Sequence, residues 1–202
     1  MGAKKSKKAL NSEELLYVMK QTNLDATTIN DWYGGFISDC PTGKMTPSHF
    51  SHMYKMLIPS GDTEKFCKHV FRTFDTDNNG YIDFVEFLLA VNVTSNGSAE
   101  EKLKWAFKLY DIDGNGSISQ EEMSKVVRSI YAMLGSRTSE SDNSAAEKAK
   151  AVFQSLDTDG NSVLSEEEFI DGCMSNEEFK ALLTPIVVSN AASRRSSLAT
   201  DI

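Results

Sequence analysis

Three twelve-residue segments, DTDNNGYIDFVE (75–86), DIDGNGSISQEE (111–122) and DTDGNSVLSEEE (157–168), align without gaps. Each carries Asp at positions 1 and 3, Asn at 5 and Glu at 12. A fourth, weaker copy, SDCPTGKMTPSH (38–49), has Gly43 at position 6 and the apolar Met45 at position 8, and Phe50 follows it as Phe87 and Phe169 follow theirs. The starts lie 37, 36 and 46 residues apart. Self-similarity at such a period means a fold assembled from repeated supersecondary units.

Apolar residues flank every copy at i, i+3, i+4 and i+7 spacing, the mark of amphipathic helices. Ile29, Trp32, Tyr33, Phe36 and Ile37 precede the first copy, and Phe50, Met53, Tyr54 and Leu57 follow it. The other flanks repeat the pattern, as in Phe66, Val70, Phe71 and Phe74, or Met123, Val126, Val127, Ile130 and Leu134. The predicted fold class is all-α, with short β pairing between loops: four helix–loop–helix units in two pairs. The expected boundaries are a basic arm and short helix over 1–22, a first pair over 23–94, a second pair over 95–188, and a disordered tail over 189–202. Ser12 is expected to cap the short helix, and Phe179, Leu182 and Leu183 to lie on another that Pro185 ends. The polar stretch GSRTSESDNS (135–144) predicts a flexible connection that accounts for the longest spacing.

A hard divalent ion such as Ca2+ needs about seven oxygens converging in a sharply turning loop. The copy at 75–86 offers Asp75, Asp77, Asn79, the Tyr81 carbonyl, Asp83 and Glu86, with Gly80 at the turn. The copy at 111–122 offers Asp111, Asp113, Asn115, the Ser117 carbonyl, Ser119 and Glu122, with Gly116 at the turn. Oxygen donors without clustered His or Cys argue against zinc; Mg2+ is a competitor, but a bidentate Glu at position 12 favours the larger ion. The copy at 157–168 keeps Asp157, Asp159, Asn161, the Val163 carbonyl, Ser165 and Glu168, yet puts Ser162 where glycine belongs, which predicts a weaker site. The copy at 38–49 has Ser38, Cys40 and Thr42 at positions 1, 3 and 5 and His49 at 12, so it is expected to hold no ion. One Asp/Asn/Gly run reads as readily as a solvated turn. Three in register, each between helices, read as metal loops.

Composition sets the remaining limits. A net charge of −8 disfavours a nucleic-acid partner. Three cysteines, Cys40, Cys67 and Cys173, without paired metal spacing predict reduced thiols. With no apolar run long enough to span a bilayer and no secretory h-region, a cytoplasmic protein is expected. The histidines His49, His52 and His69 stand beside no recognisable nucleophile, so no enzyme is expected.

The chain resembles the neuronal calcium sensor family, the recoverin, visinin and frequenin group of EF-hand proteins, from Met1 to about Pro185. The resemblance rests on DWYGGFISDCPTGKM around the first loop, on EEKLKWAFKLYDIDGNGSIS leading into the third, and on Gly2 with Ser6. It implies two EF-hand pairs that sense calcium and offer a hydrophobic groove on the first two hands to a target helix. Matching groove positions are Trp32, Phe36, Phe50, Tyr54, Leu57, Ile58, Phe87 and Leu88. It further implies a membrane-associated target such as a receptor kinase, or else phosphatidylinositol 4-kinase. A plain calcium buffer is the competing reading from another class.

Met1-Gly2-x-x-x-Ser6 is a myristoylation pattern on Gly2. One acyl chain binds a bilayer marginally, and Lys4, Lys5, Lys7 and Lys8 add attraction to an anionic surface, so peripheral membrane binding is expected. In the tail, Arg194 and Arg195 before Ser197 form a candidate phosphorylation site.

Overall fold

The structure, a computed structural model, describes residues 10–59, 61–135 and 139–183; the side chains of Leu57, of 139–143 and of 181–183 lie outside that description. The helices are α1 (Ser12–Thr22), α2 (Ala26–Asp39), α3 (Pro47–Leu57), α4 (Glu64–Phe74), α5 (Phe84–Asn96), α6 (Ala99–Tyr110), α7 (Gln120–Met133), α8 (Ser139–Leu156), α9 (Glu166–Ser175) and α10 (Glu177–Leu183), with two-residue strands β1 (Ile118–Ser119) and β2 (Val163–Leu164). The fold is all-α and of EF-hand type, each of the four repeats standing between an incoming and an outgoing helix.

Loops pair across each couple of units through the apolar residue at position 8. Met45 and Ile82 exchange two backbone hydrogen bonds of 2.9 Å. In the second couple Ile118 faces Leu164 and Ser119 faces Val163, antiparallel. All four position-8 side chains are buried, which fixes the register, because a one-residue slip would turn each of them to solvent.

One hydrophobic core runs through the molecule. Rings dominate its first half: Phe50 stands 5.5 Å from Phe74 and 5.8 Å from Phe71, and Phe36 5.6 Å from Phe84. Helix α4 then joins the halves by packing on both α6 and α7, with Phe74 edge-on to Trp105 at 6.0 Å. The segment before α4 also crosses over, where the Asp62 amide donates to the Ala132 carbonyl at 3.0 Å. Cys40, Cys67 and Cys173 are buried and form no disulfide, and burial pushes Cys67 up to about 11 and Cys173 up to about 12, so both stay protonated packing residues.

Two local expectations are corrected. Asn11, not Ser12, caps α1: its side chain accepts from the Glu14 amide at 2.8 Å while Glu14 reaches back to the Asn11 amide at 3.1 Å. That reciprocal box satisfies two otherwise orphaned donors, which Ser12 could do only with an acid at position 15, where Leu stands. The connection before the fourth loop is also shorter than its composition suggests. Helix α8 already begins at Ser139, and fully buried Ala145 and Ala149 draw its polar first turns into one helix packed on α7.

Candidate metal centres

Each acidic loop is closed by its own hydrogen bonds before any ion is considered. The first Asp accepts backbone amides from the turn: Asp75 from Asn79 and Gly80 at 3.0 Å each, Asp111 from Asn115 at 3.1 Å and Gly116 at 3.0 Å. The Asn at position 5 accepts the amide of residue 7, as Asn79 does from Tyr81 at 3.0 Å, which holds the turn of the loop closed. The final Glu folds across the ring: Glu86 Oε1 accepts from the Thr76 amide at 2.8 Å, and Glu122 Oε1 from the Ile112 amide at 2.8 Å.

Position 9 has a second task. Asp83, Ser119 and Ser165 are the N-caps of α5, α7 and α9, each accepting from the amide of the Glu three residues on and receiving that Glu's carboxylate on its own amide. The outgoing helix therefore starts with its Glu already held against the loop. The spelling D-x-x-E or S-x-x-E announces this capping box, a signal the ligand pattern hides.

In all three acidic loops, carboxylate oxygens from positions 1, 3 and 12 lie within 4.8 Å of one another: Asp75, Asp77 and Glu86; Asp111, Asp113 and Glu122; Asp157, Asp159 and Glu168. Oxygens on opposite sides of a calcium ion stand about 5 Å apart, so the clusters have the right size, and their donors are hard oxygens alone. Like charges this close repel, and a divalent cation relieves that repulsion. Burial pushes Glu122 upward, but hydrogen bonds from Ser119, Asp113 and Ile112 together outweigh it and hold the carboxyl below its ordinary value. Glu168 is drawn down to about 2, chiefly by the Ser165 amide. Both groups are carboxylates at neutral pH, ready to ligate. These residues fit Ca2+.

The loops are not equivalent. Asp75, Glu86, Asp111 and Glu122 are buried, whereas Asp157 and Glu168 are only half-buried. Asp157 takes its amides from Gly160 at 2.9 Å and Ser162 at 3.1 Å, one residue earlier in the turn than Asp75 and Asp111 on the Oδ1 side. Ser162 has φ +69°, the left-handed conformation that Gly80 and Gly116 adopt at the same position.

The loop at 38–49 keeps the turn and loses the ligands. Gly43 has φ +75° and its amide bonds the Cys40 carbonyl at 2.8 Å, while Thr46, with Pro47 behind it, caps α3 where the other loops cap theirs. His49 stands at position 12, and no group of acidic, His or Cys ligand atoms gathers in this loop among the described residues. Its Lys44 instead places an ammonium 3.9 Å from the Tyr81 ring centre of the neighbouring loop.

Of the expected groove residues, Phe36, Phe50, Tyr54, Phe87 and Leu88 are buried, Trp32 and Ile58 are half-buried, and the Leu57 side chain is outside the description. Gly2, Lys4, Lys5, Lys7, Lys8 and Ser197 also lie outside the described residues. No helix among the described residues is long and apolar enough to cross a membrane.

Comparisons with known proteins agree with this geometry. An EF-hand domain pair model matches residues 100–174 and an EF hand domain model matches residues 66–94. Neuronal calcium sensor 1 of Aplysia californica is 42% identical over 135 residues, covering 67% of this chain and 70% of the relative. The Lymnaea stagnalis protein of the same name is 40% identical over the same shares, and human recoverin 34% identical over 66% of each chain. The chain belongs to the neuronal calcium sensor family of EF-hand proteins. It is a calcium sensor.

Proposed function

We propose that the chain binds two calcium ions firmly, at 75–86 and 111–122, a third more weakly at 157–168 and none at 38–49, and that binding uncovers a groove on the first two hands for an amphipathic helix of a protein target. The observation that carries this reading is a pair of ring clusters, one contributed by α2 and α5 and the other by α3 and α4. Trp32 and Phe36 meet Phe87 at 6.3 and 5.4 Å, and Phe50 meets Tyr54 at 5.1 Å and Phe74 at 5.5 Å. Phe74 immediately precedes Asp75, and Phe87 immediately follows Glu86. A loop that tightens around an ion therefore pulls on one ring of each cluster, and helices that part expose rings from both.

The weaker third site follows from water. Asp157 and Glu168 are more exposed than their counterparts, so solvent screens their attraction to an ion. The target belongs to the membrane, either a receptor kinase or a phosphatidylinositol 4-kinase, and an acyl group on Gly2 with Lys4, Lys5, Lys7 and Lys8 brings the sensor there.

An apolar fluorescent probe added with calcium or with chelator tests the groove. The expected result is a calcium-dependent rise in probe emission that Glu86→Gln abolishes. A chain that binds calcium without that rise is a buffer.

A further inference from the structure

Arg72 on α4 reaches out of its own unit to the end of α6. Its Nη1 donates to the Asp111 carbonyl at 2.6 Å, and its Nη2 to the carbonyls of Lys108 at 2.9 Å and Leu109 at 3.0 Å. Those carbonyls belong to the last turn of a helix, where partners within the helix run out and the macrodipole is negative, so a half-buried guanidinium there acts as a cap supplied by another element. Asp111 is also the first residue of the third loop. Three residues beyond Arg72 stands Asp75, the first residue of the second loop, at the end of the same helix. One side chain thus joins the incoming helices of two calcium loops that lie in different EF-hand pairs.

Its surroundings are charged in a way that calcium changes. Asp111, Glu122 and Asp113, the carboxylates of the third loop, act on the guanidinium, and Phe74 against Trp105 packs the same α4–α6 contact. The Arg72 Nε is buried and has no hydrogen-bond partner among the described residues, so the fork is held by its Nη ends alone. A divalent ion in the third loop would neutralise those carboxylates and place like charge near the guanidinium. The grip on α6 would then weaken, and α4 would be free to reposition Asp75.

We propose that Arg72 is a positioning residue that couples the second and third calcium sites, so that filling one alters the affinity of the other. The inference rests on calcium binding at 75–86 and 111–122. By linkage the coupling is reciprocal, and a coupling of the usual size corresponds to about fivefold or more in affinity. A point ammonium in place of the planar fork cannot span three carbonyls, so Arg72→Lys should fail almost as fully as Arg72→Leu.

The test is a site-resolved NMR calcium titration of the full chain that follows the Gly80 and Gly116 amides, which bond Asp75 and Asp111 at 3.0 Å. Titrations of the native chain and of Glu122→Gln give the effect of the third site on the second; the same pair is repeated with Arg72→Leu and with Arg72→Lys. Expected is a change of about fivefold or more at Gly80 in the native background, falling below about twofold in both Arg72 backgrounds. With chelator present, exchange of the Asp111 amide, bonded to the Phe107 carbonyl at 2.9 Å, should quicken in both variants. Where Arg72→Leu fails to fold, Arg72→Lys decides. Full coupling retained without Arg72, or no coupling in the native chain, overturns the proposal. Loss of the Gly80 or Gly116 response itself would instead refute the underlying site.

Discussion

Ser162 carries a side chain where the backbone turns through φ +69°. A Cβ in that conformation costs about 1–2 kcal/mol, and glycine removes the cost. Ser162→Gly should therefore tighten the fourth loop by up to about tenfold in calorimetry, and an unchanged or weaker affinity would show that the turn does not limit binding. His69 shows strain of another kind. Burial, with Arg72 and Lys125 adding to it, lowers its pKa from 6.5 to about 4. Between those values the unfolded chain takes up a proton that the folded chain refuses, so stability is lost as pH falls through the window. The thermal midpoint in chelator should drop between pH 7 and pH 4.5, and His69→Gln should drop less. Equal slopes would contradict that assignment.

Helix capping and glycine placement decide the elements. Gly61 stands in the segment joining α3 to α4, and a Cβ there would collide with the Met133 carbonyl at the end of α7. Gly34 lies inside α2 with nothing within 4 Å of an added Cβ. Gly61→Ala should cost about 1–3 kcal/mol in denaturant unfolding, while Gly34→Ala should stabilise by about 0.5–1 kcal/mol through helix propensity. A Gly61→Ala change without cost would show that the two halves do not meet at this segment. At this scale the chain was partly legible before folding. The period of the repeats placed the helices flanking each loop and a short β pairing between loops, because local ligand spelling and apolar spacing need only near neighbours. The start of α8 was hidden, since Ala145 and Ala149 become informative only once α7 packs on them. Arg72 was hidden as well: nothing in its own neighbourhood announces carbonyls 36 to 39 residues away.

For the whole molecule, calcium is a change of charge as well as of shape. The chain carries a net −8, and every ion enters a cluster of carboxylates, so affinity should weaken as salt screens the acidic body, more for the exposed 157–168 loop than for the two buried ones. The proposed exposure of the rings around Phe87 and the proposed Arg72 coupling both turn on calcium entering at 75–86 and 111–122. Calorimetric titration of the native chain beside Glu86→Gln, Glu122→Gln and Glu168→Gln is the most direct measurement of it. The predicted result is two firm sites and one weak one, with Glu86→Gln and Glu122→Gln each removing a firm site and Glu168→Gln removing the weak one. Four equivalent sites, or firm binding undiminished in Glu122→Gln, would contradict the account.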